Sequence, residues 1–177
     1  MLRAVGQRAT SGAHYSRVMS TEPRVAPPAT SVARGVARAG DDAAAAAAPT
    51  ARVVLYSDDS STREAVRRAV GRRASKDTPM VDWLEVATPD AMLAAVAAGG
   101  VDLLVLDGET AKVGGFGLAR EIKDSYFDAP PVLLLVARAQ DAWIAAWSQA
   151  DATVPYPLKP MEVADTVAGL LRARTSA

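Results

Sequence analysis

The sequence predicts an α/β fold, a doubly wound parallel sheet of five strands in the order 2-1-3-4-5 with helices on both faces. Three observations carry this. After residue 50, short apolar runs alternate five times with helical patterns, as in a parallel sheet whose crossovers are helices. Two runs, Leu103 to Asp107 and Val132 to Val136, are nearly continuously apolar rather than alternating, as strands buried on both faces are. Acids or a lysine follow the first, third and fifth runs, where open parallel sheets gather their chemistry.

Each element has its own signal. Arg52 to Tyr56 reads as the first strand, followed by the loop Ser57-Asp-Asp-Ser-Ser. Ser61-Thr-Arg-Glu64 has the form of a capping box and opens a helix predicted to run through about Arg73. Val81 to Val86 is the second strand, with Trp83 and Glu85 on its more exposed side. Thr88-Pro89 reads as an N-cap with proline at the first helical position. That helix runs from Ala91 to Ala98 and stops at Gly99-Gly100. Leu103 to Asp107 is the third strand, and Gly108 to Gly117 a glycine-rich loop. Leu118 to Asp124 reads as helix, Val132 to Val136 as the fourth strand, and Asp141 to Gln149 as helix. Thr153 to Leu158 is a short strand, and a last helix starts at Pro160 or Met161 and ends near Arg172. The domain so defined spans residues 51–174. Right-handed crossovers leave few ways to thread it.

Residues 1–50 differ in kind. They are rich in Ala, Arg, Ser, Thr and Pro, with Glu22, Asp41 and Asp42 as the acids against six arginines. This composition reads as a disordered, slightly basic tail. Two alternatives stand beside it: a transit-type segment over the acid-free first 20 residues, and a true start at Met19.

Composition narrows the function. The 177 residues contain no cysteine, which removes disulfides, thiolate catalysis and cysteine metal sites. The one histidine, His14, lies in the tail, so histidine chemistry is not expected. No apolar run approaches the roughly 20 residues that span a bilayer. The formal net charge is zero, and no basic cluster in the second half supports nucleic-acid binding.

The topology would draw Asp58, Asp59, Asp107 and Lys159 into one crevice. Three close carboxylates repel one another unless a cation intervenes. Mg2+, a hard ion with oxygen ligands, answers that need, and a lysine is a compact charge suited to a phosphoryl oxygen. Together they suit a carboxylate nucleophile that accepts a phosphoryl group. A plainer reading of each residue stands alongside: Asp58 or Asp59 caps the first helix, Asp107 caps its loop, and Lys159 is solvated.

This set resembles the receiver domain of two-component response regulators, a flavodoxin-like (βα)5 fold. The resemblance covers Arg52 to Arg172. It rests on Asp58-Asp59, Asp107, Gly115 and Lys159-Pro160, with Lys159 lying 52 residues after Asp107 (159 − 107). It implies that Asp107 is the phosphoacceptor. It implies Mg2+ held by Asp58, Asp59, Asp107 and the Glu109 backbone carbonyl, and Lys159 paired with the acceptor through a cis Lys159-Pro160 bond. It places Tyr156 at the position of a switch aromatic. No enzymatic activity is implied beyond self-catalysed phosphotransfer to Asp107. Two features depart from the family. Val136 stands where a Thr or Ser hydroxyl normally meets the phosphoryl group, and Thr110-Ala111 replaces the usual Met-Pro.

No output domain is expected after Arg172, so any signal would leave through protein contact. Trp143 and Trp147 lie one helical turn apart on a shared face. Either both pack on neighbouring helices, or they form an interface of the kind aromatic residues favour. The stretches Tyr56 to Glu64, Asp107 to Glu109, Asp141 to Ser148 and Val154 to Leu158 are similar to orphan receiver-like proteins of mycobacteria and other actinobacteria. That family has been linked to respiratory NADH:quinone oxidoreductase as an accessory subunit. The resemblance implies a cytoplasmic protein whose partner is that complex, at the cytoplasmic face of the membrane, or else a histidine kinase.

Overall fold

The computed structural model describes residues 49–111 and 113–176. Residues 1–48 of the expected tail, His14 among them, lie outside the described residues, and Thr50, placed in the tail by composition, begins the first strand. In chain order the elements are β1 (Thr50–Tyr56), α1 (Ser60–Val70), β2 (Met80–Val86), α2 (Pro89–Ala97), β3 (Leu103–Asp107), α3 (Gly115–Ser125), β4 (Val132–Val136), a 3-10 turn (Ala139–Asp141), α4 (Ala142–Trp147), β5 (Ala152–Pro155) and α5 (Pro160–Ser176). The five strands form one sheet in the order β2-β1-β3-β4-β5, every pair parallel, as the sequence predicts.

The strands β1, β3 and β4 send alternate residues into two separate cores. Val54, Leu104, Leu106 and Leu134 pack with Met92, Leu118 and Ile122 of α2 and α3. Val53, Leu55, Leu103, Val105, Leu133 and Leu135 pack on the other face with Val66, Val163, Val167 and Leu171 of α1 and α5. A strand covered by helices on both faces has no polar side, which is why β3 and β4 read as unbroken apolar runs.

Several boundaries differ from expectation, and those of α1 and the start of α3 have a clear local reason. The cap of α1 is Asp59, whose carboxylate accepts from Ser61 N at 2.8 Å. A serine capping box at Ser61 is therefore not used. The same helix ends at Val70, because Gly71 turns to φ 66°. Helix α3 begins at Gly115, inside the predicted loop. There a Cβ would lie 2.6 Å from the Asp107 carbonyl oxygen, so this glycine lets a helix start against the end of β3. Strand β5 stops at Pro155, and α5 runs on to Ser176. Thr88 caps α2 as predicted, accepting from Ala91 N at 3.3 Å.

Candidate functional site at the carboxyl edge of the sheet

Asp107 closes β3 and is only 3% exposed. Its register partner on β4 is Leu135, so its carboxylate opens between two apolar strands. The chain itself satisfies it. Ser57 Oγ donates to one oxygen at 2.7 Å, and the Glu109 amide donates to the other at 3.0 Å. Ser57 is fully buried just past the end of β1. Sequence reasoning missed it, although a signal was there: it lies two residues after Leu55, on the same side of an inward-facing strand.

The crevice beyond Asp107 is lined by Asp58, Asp59, Thr62, Glu109, Ala137 and Tyr156 and encloses about 360 Å³. The two acids after β1 do different things. Asp59 is turned to α1. Its oxygens accept from the Ser61 hydroxyl at 2.8 and 2.7 Å, and these bonds, with that from the Ser61 amide, hold its carboxyl below the ordinary value. Asp58 is exposed, and its carboxylate accepts from Ala111 N at 3.2 Å, tying the first loop to the third.

Tyr156, half-buried, supplies a hydroxyl to the same crevice, 3.4 Å from the Thr62 hydroxyl. Burial above all pushes its pKa up to about 12; the Thr62 hydroxyl, next in weight, pulls the other way, and the Asp107 and Asp59 carboxylates add to the rise. It is therefore a standing hydrogen-bond donor at neutral pH. Its backbone N–H donates to Val136 O at 2.9 Å, which fixes it as the first residue beyond the β4–β5 ladder. Val136 is buried, at 1% exposure, and its side chain has no donor to offer.

Lys159 is not brought to this crevice. Its side chain is 74% exposed and its Nζ lies 3.7 Å from the Glu162 carboxylate. The cis bond expected at Lys159-Pro160 is at Tyr156-Pro157 instead. Nor do the proposed metal ligands gather as the resemblance implies. Asp59 is occupied as a helix cap. Among the described residues no group of three or more Asp, Glu or His side chains stands within reach of one ion. The donor chemistry suits Mg2+, which demands near-octahedral oxygen coordination, but this arrangement does not supply it.

The loop after β3 is pinned from below. The Tyr56 hydroxyl donates to Val113 O at 2.8 Å, and the Thr110 hydroxyl donates to the same oxygen at 2.6 Å. Away from the crevice, Trp143 and Trp147 are 70% and 55% exposed, so the reading in which both are packed away is overturned. Ala145 takes the core position of α4, and the Arg120 guanidinium sits 5.9 Å over the Trp147 ring.

No family model matches the chain. Two uncharacterized response regulatory proteins of Mycobacterium tuberculosis, from strains CDC 1551 / Oshkosh and H37Rv, are each 44% identical over 122 residues. That match covers 69% of this chain and 92% of each relative. Solved structures share the fold at lower identity. The chemotaxis response regulator CheY4 of Vibrio cholerae matches with TM-score 0.59 and 18% identity over 69% of this chain and 99% of that one. The response regulator TrrA of Thermotoga maritima, solved with Mg2+ and beryllofluoride, matches with TM-score 0.56 and 22% identity over 68% and 99%. With a five-stranded sheet in the order 2-1-3-4-5 and an aspartate at the end of its third strand, this chain belongs to the response-regulator receiver family.

Proposed function

We propose that this receiver acts by direct protein contact, with the α4 tryptophans as the contacting group. One observation supports the reading above the rest: two large aromatic side chains one helical turn apart are both left in solvent. Exposed tryptophans of this kind are costly to hydrate and are enriched where partners bind. The partner implied by the narrower resemblance is respiratory NADH:quinone oxidoreductase, which would hold the chain at the cytoplasmic face of the membrane as an accessory subunit. The test uses the tagged full chain and detergent-solubilised membranes, with subunits of that complex as the readout. Co-purification lost in a Trp143→Ala/Trp147→Ala double variant supports the reading. Subunits retained by the double variant, or never recovered, overturn it.

A second reading is favoured by Asp107 itself, an acid at a strand end that opens on a crevice. Here the chain is a phosphorylatable regulator that takes its phosphate from a histidine kinase. An Asp107 carboxylate oxygen attacks phosphorus, the P–N bond to the kinase histidine breaks, and the imidazole leaves with the electron pair. Incubation with acetyl phosphate and Mg2+, followed by intact mass, tests it. A phosphoryl adduct absent from Asp107→Asn supports this reading, and an unchanged mass rejects it.

A further inference from the structure

The connection between β4 and α4 begins with two successive backbone amides, Ala137 and Arg138, and each is held by a carboxylate. Arg138 N–H donates at 3.0 Å to Asp141, an acid of its own turn. Ala137 N–H donates at 3.2 Å to Glu109 Oε1, from an acid 28 residues away on the other side of the crevice. The Glu109 backbone is anchored in turn, its N–H donating to Asp107 at 3.0 Å. A continuous path of Asp107 carboxylate, Glu109 amide, Glu109 carboxylate and Ala137 amide therefore crosses from β3 to β4. Successive amides in an irregular turn present a positive edge that favours an anion. Here the chain supplies that anion from its own side chain.

We propose that Glu109 is a resident anionic latch that sets the β4–α4 connection, and with it the helix carrying Trp143 and Trp147. The six residues of α4 are too few to hold a position by helix propensity. Their placement depends on what fixes each end. The carboxyl-terminal end is fixed by the Ser148 hydroxyl on Ala145 O at 2.7 Å. The connection leading into the amino-terminal end is held by the Asp141 and Glu109 carboxylates on the Arg138 and Ala137 amides. The latch needs no ligand, so the tryptophan face is held in one arrangement by default. An anion entering the crevice meets a like charge and must displace Glu109 from the Ala137 amide. The latch does not depend on which partner the tryptophans meet or on whether Asp107 is ever phosphorylated.

The test is amide hydrogen exchange by NMR on the full chain, with Glu109→Ala and Glu109→Gln. Losing a hydrogen bond to a charged acceptor should speed exchange at Ala137 by about tenfold, with little change at Leu104 to Leu106. The indole N–H signals of Trp143 and Trp147 should move, while that of Trp83 stays as an internal control. Glu109→Gln keeps an acceptor without the charge and should give a smaller acceleration. Ala137 exchange within about twofold of the parent in Glu109→Ala overturns the proposal, as do unmoved Trp143 and Trp147 signals. Should Glu109→Ala loosen the whole sheet, Glu109→Gln decides by the same two readouts.

Discussion

Ser57 donates a 2.7 Å hydrogen bond to Asp107, from the end of β1 to the end of its neighbour β3. Both side chains are buried. A carboxylate removed from water is costly unless it is bonded, and this one is served by a neutral hydroxyl and a backbone amide rather than by the Lys159 ammonium. The crevice is therefore self-contained: its central anion is held by the fold that surrounds it.

That relationship sets the first expectation. Ser57→Ala removes one donor from a buried carboxylate and leaves an acceptor lone pair unmatched. The expected loss is about 1–3 kcal/mol of stability. In urea unfolding it should show as a lower midpoint with an unchanged slope. A variant as stable as the parent would mean that Asp107 draws its compensation from another group.

The tyrosine hydroxyl gives a pH signature. Tyr156 titrates at about 12 in the folded chain, against 10.0 for an unperturbed tyrosine. The folded state thus holds this proton more tightly than the unfolded state does. The stability linked to it is complete below the unfolded value of about 10 and is lost as pH rises from there through about 12. Ultraviolet difference titration should show a late-ionising tyrosine that Tyr156→Phe removes. If Tyr156→Phe leaves the alkaline limb of the titration untouched, the hydroxyl is not buried among carboxylates.

Two glycines of α3 should answer oppositely. At Gly115 a Cβ would press on the Asp107 carbonyl oxygen at 2.6 Å, whereas at Gly117 nothing lies within 4 Å. Gly115→Ala should cost about 1–3 kcal/mol through overpacking. Gly117→Ala should be neutral or stabilise by up to about 1 kcal/mol, because alanine is the better helix former. Thermal melts of the two variants measure the contrast. Equal melting points would mean that α3 can shift away from β3 freely.

The strands were legible because punctuation brackets them. Gly99-Gly100 precedes β3 and Pro130-Pro131 precedes β4, and both strands were bounded to the residue. The start of α3 was not legible, because Gly115 and its neighbours look like loop residues until one sees how closely the helix meets the Asp107 carbonyl. The acids Asp58, Asp59 and Asp107 were legible as one crevice, since topology alone brings strand ends together. What topology does not decide is which residue after a strand turns inward. Strand β5 ends at Pro155, three residues earlier than the expected end at Leu158, so the inward position falls to Tyr156 and not to Lys159. The 52-residue spacing from Asp107 to Lys159 counts chain length, and chain length does not record where a ladder stops.

The last expectation follows from that register and separates the two residues. Lys159 is mostly in solvent and paired only loosely with Glu162 at 3.7 Å, a kind of surface pair worth little. Lys159→Ala should leave stability within about 0.5 kcal/mol of the parent. It should also leave the amide signals of Asp107, Glu109 and Ala137 in place. Tyr156→Phe should move all three, because it deletes the hydroxyl between Thr62 and the crevice acids while the ring stays packed. The comparison needs only two-dimensional amide spectra of three samples. Should Lys159→Ala perturb the Asp107 neighbourhood and Tyr156→Phe spare it, the lysine reaches the crevice in solution, and the assignment of the inward position to Tyr156 fails.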